Sequence, residues 1–77
     1  NPYNNGTIIS YQLTTQAHVT LKVFDVLGRE VATLMNNMEE AGYKSVSFDA
    51  STLPSGVYFY RMQAGSFVQT NKMLLMK

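Results

Sequence analysis

The feature that most constrains this chain is a two-residue alternation of apolar and polar side chains, restarted after nearly every turn signal. Thr7 to Leu13 sets Ile9, Tyr11 and Leu13 on one face and Ser10 and Gln12 on the other. Val19 to Phe24 sets Val19, Leu21 and Val23 against Thr20 and Lys22. Lys44 to Asp49 alternates Val46 and Phe48 with Ser45 and Ser47. Glu30 to Met35, Val57 to Gln63 and Phe67 to Met76 complete the set. Successive side chains of a strand point to opposite faces, so this pattern describes half-buried strands. Repeated about every ten to twelve residues, it predicts an all-β antiparallel sandwich of immunoglobulin-like type with about seven strands.

The breaks agree with that reading. Asn4-Asn5-Gly6 and Ala64-Gly65-Ser66 are turn sequences, and Asp25 to Arg29 reads as a hairpin link with Gly28 at a left-handed position. Thr14 to His18 reads as the link between the first two strands, and Asn36 to Gly42 as the longest polar link. Helix is the alternative for Glu30 to Glu40, where Val31, Leu34, Met35 and Met38 approach helical spacing.

Leu53-Pro54-Ser55-Gly56 followed by Val57-Tyr58-Phe59-Tyr60 reads as a corner feeding a strand. Arg61 is costly to bury without a partner, so the face carrying Val57, Phe59 and Arg61 turns outward, while Tyr58, Tyr60 and Met62 turn inward. A tyrosine just past a glycine-bearing corner resembles a tyrosine corner. Its hydroxyl is expected to bond a backbone group between Asp49 and Leu53.

Seventy-seven residues make one small domain, residues 1–77, with a thin core. A net charge of +1 gives no electrostatic reason to expect nucleic acid or a membrane surface as partner. No apolar run is long enough to span a bilayer, and the start does not read as a secretory leader. Without cysteine there are no disulfides or zinc–thiolate sites. His18 stands alone in a link. Asp25 and Asp49 end strands where aspartate commonly closes a turn, although a calcium site built on one of them is an alternative. The glycines lack a phosphate-cradling spacing. The expectation is a non-enzymatic domain with no catalytic residue, metal or cofactor. Tyr3, Phe24, Tyr43, Phe59 and Phe67 are candidate exposed rings.

Three segments then carry a resemblance: "VTLKVFDVLGREVATL" (19–34), "AGYKSVSFDASTLPSGVYFYRMQAG" (41–65) and "KMLLMK" (72–77). With Asn1 to Asn4 and "TIISYQL" (7–13), they make the whole chain resemble the type A C-terminal sorting domain of the Bacteroidetes type IX secretion system. The sequence is also similar to the immunoglobulin-like domain of the flagellar hook-capping protein. The sorting resemblance implies a signal domain with an N-terminal cargo in cis. It implies export via the periplasm, recognition by the outer-membrane translocon and a sortase-like peptidase, and a secreted or cell-surface product. It marks Gly56, Val57 and Tyr58, with Lys72 and Lys77 of the closing strand, as sorting residues. At the opening, relatives often carry Pro-Phe-Asn-Pro where this chain has Pro2-Tyr3-Asn4-Asn5. Two other readings compete: a structural immunoglobulin-like spacer and a small carbohydrate-binding module.

Overall fold

The computed structural model describes residues 6–76. They form six strands and no helix: β1 (Gly6–Leu13), β2 (Ala17–Phe24), β3 (Glu30–Glu39), β4 (Gly42–Asp49), β5 (Gly56–Ala64) and β6 (Phe67–Leu75). All pairs are antiparallel, in a two-stranded sheet β1-β4 and a four-stranded sheet β3-β2-β5-β6. The alternation therefore places the strands correctly, but six rather than about seven form among the described residues. The Asn4-Asn5 turn and the candidate ring of Tyr3 lie outside them.

Two boundaries differ from expectation. Glu30 to Glu39 is one continuous strand, neither a short strand nor a helix, and only Glu40 and Ala41 separate it from β4. Asn36 and Asn37 continue it because β2 lies alongside, pairing Thr20 with Asn36 and Val19 with Asn37. β3 is an edge strand, so its polar side chains can stay in water. The second difference is His18, which lies inside β2 rather than in a link. Its Nε2 is 2.7 Å from Asn36 Oδ1 on the neighbouring strand.

The core forms where the two inner faces meet. Ile9 and Leu13 of β1, Val19, Leu21 and Val23 of β2, Phe48 of β4, Tyr58 and Met62 of β5, and Met73 and Leu75 of β6 are buried together with Ala50. No buried polar or charged residue interrupts this cluster among the described residues. Its positions on β1, β2, β4 and β5 are those the alternation assigns inward, as register demands: a one-residue slip of a strand would send its share of them to solvent.

The β2–β3 link shows how local sequence fixes that register. Asp25 Oδ1 accepts hydrogen bonds from the backbone N–H of Leu27 (2.9 Å) and Arg29 (3.0 Å), and Asp25 Oδ2 accepts one from Arg29 Nε (2.8 Å). Gly28 supplies the φ of +83° that closes the turn, a conformation costing other residues about 1–2 kcal/mol. Glu30 then accepts from the Thr33 hydroxyl and pairs with Lys22 of β2 at 3.3 Å. The Arg29 hydrogen bonds and that of Leu27 hold the Asp25 carboxyl below its ordinary range, and the Thr33 hydroxyl and Lys22 do the same for Glu30. A carboxyl whose folded-state pKa is lowered stabilises the fold above its unfolded pKa, near 4, and loses that contribution as pH falls through the folded value. The melting temperature should therefore stay level down to about pH 4 and fall below it. Asp25→Asn should make the acid fall shallower, as thermal melts across the range would show. An equally steep fall in the variant would remove Asp25 from the linkage.

Candidate functional site: the corner and the outer face of the large sheet

The corner that precedes β5 is built from Phe48 onward. Phe48 and Ala50 are buried, while Asp49 between them turns outward and accepts a hydrogen bond from Ser51 N–H through Oδ1 at 3.0 Å. Leu53 N–H donates to Ala50 C=O at 3.0 Å, closing a turn, and Leu53 packs against the core. Asp49 thus acts as the turn residue its strand-end position suggests. The chain then enters β5 through Gly56, at φ +155°. A Cβ there would meet Tyr58 Cε1 at an ordinary 3.9 Å, so backbone conformation rather than crowding favours glycine.

Tyr58 closes the corner. Its ring is 5% exposed within the core, and its hydroxyl donates to Pro54 C=O at 2.8 Å. The acceptor lies one residue beyond the expected stretch of Asp49 to Leu53. The Ala50–Leu53 turn already uses the Ala50 carbonyl and carries the chain round, which leaves the Pro54 carbonyl within reach of the hydroxyl.

Tyr58 is thereby separated from its neighbours in the motif. Residues directly opposite in an antiparallel pair share a face. Tyr58 pairs with Met73 and faces inward; Val57 pairs with Leu74 and Phe59 with Lys72 on the outer face. Phe59 also stands opposite Phe24 of β2, and Arg61 opposite Lys22. The Arg61 guanidinium lies 4.8 Å from the centroid of the Phe24 ring, a cation–π contact that keeps the charge in water while its stem covers the aromatic. The outer face therefore joins Val57, Phe59, Leu74 and Phe24 to three cations, Lys22, Arg61 and Lys72, of which Lys22 is paired with Glu30.

Of the five residues marked by resemblance, Val57 and Lys72 come together on this face, Gly56 shapes the entry to it, and Tyr58 supports it from below. Lys77 lies outside the described residues. Phe59 stands opposite Lys72 on the outward side that the alternation of β5 assigns to it and Val57; Leu74, opposite Val57, carried no such signal and joins them only through the pairing of β6 with β5. The candidate rings do not form a row. Tyr43, 85% exposed, is on β4; Phe67 is on β6; Phe24 and Phe59 share the opposite sheet face.

The domain thus carries a turn-locked tyrosine on β5 beneath an aromatic, cationic face, next to the edge strand β6. Comparison with known families places it. The family model described as "Secretion system C-terminal sorting domain" matches residues 1–76. The chain belongs to this family, the type IX secretion C-terminal sorting domains. No curated protein and no solved structure matches the chain significantly.

Proposed function

We propose that this domain is the sorting signal of an exported protein, carried at the C-terminal side of a cargo in cis and read in its folded form by the outer-membrane type IX translocon. A sortase-like peptidase then acts on the precursor, and the cargo ends at the cell surface or outside the cell. The observation that carries the reading is the family match over residues 1–76. The sandwich is immunoglobulin-like in this reading, supported by the tyrosine corner and the two facing antiparallel sheets.

Within that function the roles of the marked residues divide. Lys72 and Lys77 present charge to the translocon, Lys72 beside Phe59. Val57 contributes apolar surface beside Leu74. Gly56 and Tyr58 act indirectly, by fixing where β5 begins and so where the outer face sits.

The test is a periplasm-targeted reporter fused to the N-terminal side of this domain, in a host that has the secretion system. The intact domain should carry the reporter to the surface or medium. Lys72→Ala with Lys77→Ala should leave most of it in the periplasm. Lys72 is exposed, and surface changes usually shift stability by about 0.5 kcal/mol or less, so the purified variant should melt as the parent does. Normal export by the double variant would remove the lysines from the signal. Retention of the intact fusion in the periplasm would end the sorting reading and favour a structural spacer.

A further inference from the structure

Two strands do not cover four. β1 lies over the inner face of the large sheet with β4 on one side, and among the described residues nothing pairs with its other edge. Beyond that edge the inner face of β6 is open. Met73 and Leu75 are buried at one end, but toward the other Asn71 is half-buried, Gln69 is exposed and Phe67 is 53% exposed. Adjoining hollows of about 160 and 220 Å³ run along this step, bordered by Ile9 to Gln12 of β1 and by Met62 and Phe67 across from them.

Two properties of the step specify its occupant. First, β1 reads Gly-Thr-Ile-Ile-Ser-Tyr-Gln-Leu, with no charge and no proline. The other three edges carry charge, β3 with Glu30, Glu39 and register shifts, β4 with Lys44 and Asp49, and β6 with Lys72. Natural sheets use charge, proline and bulges to keep edges from accepting foreign strands, and β1 lacks them all. Second, every residue bordering the two hollows is uncharged, in a chain with eleven Lys, Arg, Asp and Glu residues.

We propose that β1 accepts one extended, uncharged strand from another polypeptide as the third strand of the small sheet, laid across Phe67, Gln69 and Asn71. Main-chain hydrogen bonds to the β1 edge would supply affinity, and the neutral groove would select against charged side chains on the inserted strand's inner face. The step suits a single strand, about 4.8 Å from β1. A second copy fits it less well, because β6 reaches past β1 in each molecule and the two β6 edges would meet before the β1 edges could pair.

The test uses the isotope-labelled chain titrated with an acetylated, amidated heptapeptide of alternating valine and threonine. Amide exchange should slow at Ile9 to Gln12, with chemical-shift changes at Phe67 and Gln69 and none along β3. Gln69→Glu, at an exposed position, should weaken binding about tenfold or more by bringing charge to the groove, with the melting temperature unchanged. Replacing the valines by lysine should abolish binding. Protection confined to β3 or to the outer edge of β6, no protection at millimolar peptide, or unchanged affinity in the Gln69 variant would each overturn the proposal. So would a concentration-dependent dimer that protects Ile9 to Gln12 without peptide, since the occupant would then be a second copy.

Discussion

Replacing Tyr58 by alanine should cost about 3–5 kcal/mol of folding stability, and replacing it by phenylalanine about 1–2 kcal/mol. The two substitutions dissect one side chain. The ring is buried between the sheets, so alanine removes its apolar contacts and leaves a cavity. Phenylalanine keeps the ring and removes only the hydroxyl that donates to Pro54 C=O at 2.8 Å. The acceptor belongs to the loop, so its loss loosens the Ala50–Ser55 connection as well as the strand. Urea unfolding of the three proteins checks both values. A neutral phenylalanine variant would mean that the hydroxyl does not hold the corner. If export falls in that variant in proportion to stability alone, Tyr58 acts by positioning the outer face; export lost in a fully folded variant would mean that the hydroxyl itself is read.

Deleting residues 72–77 should unfold the domain. The deletion removes Met73 and Leu75, both buried, at about 2–5 kcal/mol each by the usual scale of large-to-small changes in cores. A chain of this size has about 4–12 kcal/mol in total. It also strips the ladder partner from each residue of the motif: Leu75 from Gly56, Leu74 from Val57, Met73 from Tyr58 and Lys72 from Phe59. Circular dichroism at 25 °C should show loss of the strand signal. A truncated chain that still melts cooperatively would contradict the burial argument. Failed export by such a truncation therefore reports on folding, and the paired lysine substitutions are the informative change.

Much of this was legible in the chain. The inward set Val19, Leu21, Val23 and Tyr58, Met62 follows from alternation alone, because burial enforces the period of two. The corner was legible because Pro54-Ser55-Gly56 and Arg61 together leave one orientation for Tyr58. What sequence could not supply was pairing between distant segments. Asn36 and Asn37 look like a break until β2 is placed beside them, and the same neighbour turns His18 from a link residue into a strand residue. Lys72 and Val57 are far apart in sequence and share a face only because β6 lies against β5. The open step beside β1 depends on how many strands each sheet holds, which local pattern does not encode.

The strand order also sets the tempo of folding. Only β2–β3 and β5–β6 are neighbours both in sequence and in a sheet; β1 must wait for β4, and β2 for β5. Hairpins close in about 1–10 μs, whereas sandwiches dominated by distant pairings fold in milliseconds to seconds. Throughout that interval β1 has neither edge paired and carries no charge to repel another chain. It is the segment on which two folding molecules can mispair, so refolding yield should fall as protein concentration rises.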